Sequence, residues 1–129
     1  MVKQFVIAMV AFVVLDGLWL GVIAADFYRR SLAPIARMAD GRLAPIWPIA
    51  ALIYPVMALG VSIFVLARAA SPREALQLGA ALGAITFAVY DLTNHSTLRD
   101  WRAAMTVVDI GWGAFLFATA SWLAATLGR

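Results

Sequence analysis

The stretch YDLTNHSTLRDWRAAMTVVDIGW, residues 90–112, decides how this chain folds. An uncharged run, residues 75–90, leads into it, and a second apolar run, residues 103–128, leaves it broken only by Asp109. Between the two lie Asp91, Asn94, His95, Arg99, Asp100 and Arg102, a segment with room for little more than a turn. It reads as the crown of an antiparallel pair of apolar helices. Thr97 and Asp100 have the spacing of a capping box, which starts the second helix of the pair at about residue 98. So tight a turn would set Asp91 and His95 beside Arg99 and Arg102 at one membrane face.

Two further apolar runs precede this hairpin. Residues 5–25 are interrupted only by Asp16, and residues 43–67 carry no charge. A helix rises about 1.5 Å per residue, so about 20 residues cross about 30 Å of hydrocarbon. The third run reaches that length once Asp91 and Asn94 join its last turns. The pattern predicts an all-α integral membrane protein, a four-helix bundle with spans at about 4–28, 46–68, 73–95 and 98–126 in one transmembrane domain, residues 1–129. Composition agrees: 64% of residues are hydrophobic and 13% charged, against about 25% charged in soluble domains. Mean hydropathy is +0.91.

The charges flank the spans. A net charge of +3 invites a nucleic-acid reading, but the ten Lys and Arg gather at span ends, as membrane flanks do, so no nucleic acid is expected. Arg29, Arg30, Arg37, Arg42, Arg99 and Arg102 fall on the first and third connections; Lys3, Arg68, Arg73 and Arg129 fall on the other side. The positive-inside rule then faces both termini out. Residues 26–42 read as an interfacial loop whose arginines meet lipid headgroups. The chain has no cysteine, which excludes disulfides and thiolate chemistry.

Within the spans, polar residues are the informative ones. The first run could pass for a signal-peptide core, but no clear Ala-x-Ala site follows and Asp16 sits badly in one, so it is expected to be a retained span. Asp16 falls near the expected midplane, where an aspartate costs on the order of 3 kcal/mol, so it should face protein or water. Trp19 lies one turn on and shares its face. The second span enters through Trp47-Pro48 and carries Tyr54-Pro55, where a proline frees a backbone carbonyl. The third starts at Ser71-Pro72-Arg73-Glu74, a capping box with proline at the first helical position. Its Gly79 and Gly83 invite close approach of a neighbour, with Tyr90 and Asn94 continuing the Gly83 stripe and Asp91 and His95 to its side. The fourth is expected to carry Asp109 about 16 Å along its length, with Trp112 on the same face. The phrase Asp-x-x-Trp thus occurs at Asp16–Trp19 and again at Asp109–Trp112, on helices of opposite direction, as in an inverted repeat.

Asp16-x-x-Trp19-x-Gly21, the Tyr90-Asp91-Leu92-Thr93-Asn94 block, Leu98-x-x-Trp101 and Asp109-x-x-Trp112-Gly113 together resemble a family of small predicted bacterial membrane proteins, catalogued only as a domain of unknown function. The resemblance spans nearly the whole chain. It implies a multi-pass, four-helix protein of the bacterial inner (cytoplasmic) membrane and supplies no activity. His95 lies outside these motifs, which counts against any mechanism that requires a histidine.

Three functions fit these residues. An accessory or structural subunit of a larger membrane complex would use Asp16 and Asp109 as acceptors for Trp, Tyr90, Asn94 or Thr93, and Asp91 as a partner for Arg99 or Arg102. A proton-coupled transporter of small molecules or lipids would bring Asp16, Asp91 and Asp109 into one pocket, where their charges cannot all persist without a proton or a cation. A metal-dependent enzyme acting on lipid would hold a divalent metal through His95 and Asp91 with the other acids. Tyr90, Asn94, Trp19 and Trp112 form the supporting shell in each case. No hydrolase elbow, P-loop, dinucleotide fingerprint or zinc-protease signature occurs. Membrane lipids and further copies of the chain are the expected partners, because 129 residues leave little room for an internal pathway.

Overall fold

Four helices long and apolar enough to cross a membrane form the body of the protein, which a computed structural model describes over residues 1–129. Helix α1 (Val2–Leu18) ends in a π-helical turn (Trp19–Ile23), and a short helix α2 (Ala25–Leu32) follows. A minimal hairpin, β1 (Met38–Ala39) with β2 (Arg42–Leu43), leads into α3 (Trp47–Val61), which also closes in a π-helical turn (Ser62–Leu66). The last two helices are α4 (Pro72–Thr97) and α5 (Ala103–Leu127). Four crossings put both termini and the 67–71 connection at one end, here the terminal face. The other end, the loop face, carries α2, the hairpin and the α4–α5 turn.

Only 27 of 129 residues are buried, while Val10, Val14, Leu52, Val56, Ile85, Val89 and Val107 lie exposed along the helices. Such an outer surface suits lipid rather than water. Inside, small residues set the spacing. A β-carbon on Gly79 would stand 2.6 Å from the Phe117 carbonyl oxygen, and one on Gly83 would collide with the Gly113 carbonyl and the Phe117 side chain. This close approach makes α4 and α5 the most tightly joined pair of the bundle. Phe12 of α1 packs on Phe117 with ring centroids 4.8 Å apart, and both are essentially inaccessible. Ser71 caps α4 as expected, its Oγ accepting from the Glu74 N–H at 3.2 Å while Glu74 Oε2 accepts from the Ala70 N–H at 2.8 Å. Both π-helical turns close a span with an i→i+5 bond, Ala24 N–H to Trp19 O at 2.7 Å and Ala67 N–H to Ser62 O at 3.1 Å.

Several boundaries differ from expectation. The first span ends at Ile23, not near 28: the chain bends at Ala24, and residues 25–32 form a separate helix that buries Tyr28 and Ser31. Residues 26–42 are accordingly built rather than loose. Asp40 (φ 52°) and Gly41 (φ 74°) are both left-handed, as a two-residue type I′ turn requires, and the Asp-Gly pair is its usual sequence. Helix α5 starts at Ala103 rather than 98. The Thr97/Asp100 box does not form; Thr97 Oγ1 donates to the Thr93 carbonyl, and residues 98–102 stay partly extended because Trp101 is pulled into the interior.

Candidate functional site

The polar residues of four helices meet in one layer. Asp16 lies seven residues before Ile23, Tyr54 seven after Trp47, Asp91 six before Thr97 and Asp109 six after Ala103. At about 1.5 Å per residue, each sits about 9–10 Å inside the loop face. Asp16 is therefore off the midplane, and Asp109 is shallower than the expected 16 Å because α5 starts later.

The two Asp-x-x-Trp motifs serve each other. Trp112 Nε1 donates to Asp16 Oδ1 at 3.0 Å, and Trp19 stacks flat on Trp112 with centroids 4.4 Å apart and planes 6° from parallel. Trp19 Nε1 donates to the Tyr28 hydroxyl at 3.0 Å, which in turn donates to Asp109 Oδ1 at 2.7 Å. Asp16 also accepts from Tyr54 at 2.9 Å through its other oxygen. Each motif's tryptophan thus supports the acid of the other, directly in one case and through Tyr28 in the other. The arrangement is locally that of an inverted pair.

Tyr28 comes from α2, outside the spans. Burial, and then the negative charge of Asp109, hold its hydroxyl above the ordinary tyrosine range, against the opposing effect of the Trp19 bond. It stays an O–H donor throughout the neutral range. With Ala24, Trp101 and Met105 it forms a small buried cluster that roofs the layer at the loop face.

Asp91 stands apart. It is 0% exposed, neither carboxyl oxygen meets a protein donor, and the carboxyl of Asp109, itself 6% exposed, is set against it. The expected pairing with Arg99 or Arg102 does not occur: the only salt bridge is Arg29–Asp26 at 3.1 Å, and Arg102 reaches Ser31 instead. With both acids ionised neither can donate, and Asp91 is orphaned. With one proton between them, the two carboxyls can bond to each other.

The remaining expected residues fall around this core. Asp91, rather than Tyr90, continues the buried line of Ala75, Gly79 and Gly83. Tyr90 is 57% exposed and packs edge-on against Trp101. Asn94 is half-buried beside Tyr90. His95 turns to α5, its Nδ1 3.1 Å from Thr106 Oγ1, which accepts from Trp101 Nε1 at 2.9 Å. No three His, Asp or Glu side chains converge as metal ligands, so His95 and Asp91 are not joined in such a set. Sequence reasoning missed Tyr28 and Thr106 and undervalued Tyr54. Tyr28 lies beyond a helix break that no residue announces, while Tyr54 drew notice only for the proline after it.

Fold and site together define a four-span integral membrane protein with an acidic, aromatic-bound layer toward one face. The chain belongs to the family described as "Predicted membrane protein (DUF2177)", which it matches over residues 1–126. No curated protein and no solved structure matches it.

Proposed function

We propose that this protein is a proton-coupled carrier of the bacterial inner membrane, acting as a homo-oligomer, with the Asp91–Asp109 pair as its proton site. One observation carries the reading: Asp91 is fully buried, yet no N–H, hydroxyl or cation of the protein reaches its oxygens. An acid retained only for packing is expected to have donors, as Asp16 and Asp109 have. Ionised, Asp91 would lack a partner and face a second negative charge in a low-dielectric layer, two costs that a single shared proton removes. Tyr28 already donates to Asp109, so the proton resides on Asp91 and points at Asp109.

A cationic solute engaging this layer would expel the proton, and Asp16 at the same depth supplies a second negative charge for it. Two grooves of about 410 and 380 Å³ open along the lipid-facing side of α1, one against α3 and one against α5, and both are lined almost wholly by apolar side chains. A pathway for a charged solute then calls for further copies of the chain. The arginines of α2, the hairpin and the α4–α5 turn favour a cytoplasmic loop face, with both termini out.

The test is proton release from purified protein titrated with lipophilic cations and, separately, divalent metals. Saturable release by the organic cation, lost in Asp91→Asn and Asp109→Asn, is the expected result. A second reading, an accessory subunit of a larger membrane complex, draws on Asp16, bonded through both oxygens, and on Asp109, which accepts from Tyr28. It predicts no release with either ligand class and a partner that co-purifies.

A further inference from the structure

A second polar group lies one helical turn toward the loop face from the carboxyl pair. His95 follows Asp91 by four residues on α4, and Thr106 precedes Asp109 by three on α5, spacings that put each on the same side of its helix as the acid. The two side chains are bonded to each other across the hairpin, His95 Nδ1 to Thr106 Oγ1 at 3.1 Å. Thr106 is 7% exposed, while His95 lies open near the end of α4. The buried pair is otherwise closed on this side by Tyr28, Trp101 and Met105.

Donor accounting fixes a direction. Trp101 Nε1 can only donate, so Thr106 Oγ1 accepts from it at 2.9 Å, and the threonine's own hydrogen is available to His95 Nδ1. In this arrangement neutral His95 carries its hydrogen on Nε2. Resting on the proton-site reading above, we infer that His95 and Thr106 are the proton port of the Asp91–Asp109 pair, connecting it to the aqueous loop face. On release, the Asp91 proton moves to Thr106 Oγ1 as the threonine hydrogen moves to His95 Nδ1, and the imidazolium gives its Nε2 proton to water. Uptake reverses each step, and one proton enters for each that leaves. Thr106 and Asp109 are about 4.5 Å apart along the axis of α5, and one bridging water between hydroxyl and carboxyl completes the path.

The charged groups around His95 are Asp91 one turn below it on α4, Arg99, Asp100 and Arg102 on the connecting turn, and Asp109 across the seam on α5. None is paired with the imidazole. Imidazole is the side chain suited to relay protons near neutral pH. In this arrangement His95 sets the rate of exchange, while the site itself is the carboxyl pair.

The experiment is a pH jump on the full-length protein in lipid nanodiscs, following the infrared carbonyl band of a protonated carboxyl group. Asp91→Asn must first remove that band; if it does not, the proton-site reading fails and the port with it. With the band assigned, His95→Gln and Thr106→Val should slow its rise and decay by about 100-fold while leaving its equilibrium titration in place. Thr106→Ser should keep the wild-type rate, and added imidazole should restore it to His95→Ala. Unchanged rates in both His95→Gln and Thr106→Val, with the band intact, would overturn the port and leave the pair standing.

Discussion

The two halves of the α4–α5 hairpin are built on opposite rules. Toward the terminal face, Gly79, Gly83, Gly113, Phe117 and Ser121 press backbone against backbone, and the chemistry is that of fit. Toward the loop face the same two helices carry Asp91, His95, Trp101, Thr106 and Asp109, and the chemistry is that of donors and acceptors. The first half makes the second possible. Contact through glycine holds the helices close enough for two carboxyls to face each other, and in lipid nothing hydrophobic would drive that approach. Rigidity at one end thus holds an electrostatically awkward pair at the other.

The largest effect should come from breaking the close-packed half. Gly83→Val puts a branched side chain where the Gly113 carbonyl and Phe117 leave no room even for a methyl group. A loss of about 3 kcal/mol is expected, visible as a lowered unfolding midpoint in denaturing detergent. The polar layer should fail with it, shown by a red shift of tryptophan emission as the Trp19–Trp112 stack opens. If that stack survives unchanged, the two halves are independent of each other.

How much of this was legible beforehand follows the same division. Hydropathy marks the four spans because lipid imposes one demand along their whole length, and Gly79 with Gly83 reads as a contact stripe because the spacing is local. The Asp-x-x-Trp phrases were visible as a repeat, but not their exchange of partners, since that depends on how α1 and α5 meet. The α2 bend was hidden because Ala24 and Ala25 extend the apolar run of the first span up to Asp26, and nothing in that run marks a break. Local capping at Thr97 and Asp100 lost to the burial of Trp101, a tertiary demand no neighbouring residue displays. Asp40-Gly41 was a readable turn signal, obscured by the arginines around it.

An intermediate effect is expected at Tyr28, which ties α2 to the polar layer. Tyr28→Phe removes one donor from Asp109 and one acceptor from Trp19, for a cost of about 1 kcal/mol. The wild-type hydroxyl has a pH signature as well. Its folded pKa is raised above the unfolded value of 10.0, so its contribution to stability is whole below that pH. It is lost as pH climbs beyond 10.0, when the unfolded chain ionises and the folded one resists. Alkaline unfolding curves of wild type and Tyr28→Phe should therefore converge with rising pH; parallel curves would mean that Tyr28 is not the anchor.

The smallest effect on stability is expected at Asp91. If Asp91 were a packing acid held by an unseen donor, Asp91→Asn should destabilise as other broken polar contacts do. If it holds a proton aimed at Asp109, asparagine supplies the same donor permanently, because its amide N–H replaces the carboxyl O–H. Asp91→Asn should then unfold within about 0.5 kcal/mol of wild type at acidic pH, where the native pair already carries its proton. On raising the pH, wild type should fall below the variant as the native pair is forced to ionise without a partner for Asp91. Asp109→Asn is the control that separates donor supply from simple loss of charge. It relieves the repulsion equally but leaves Tyr28 pointing at an amide that must turn its oxygen toward the hydroxyl and its N–H toward Asp91. Equal stability of the two variants at every pH would assign the effect to charge alone, whereas a more stable Asp91→Asn would locate the proton on Asp91.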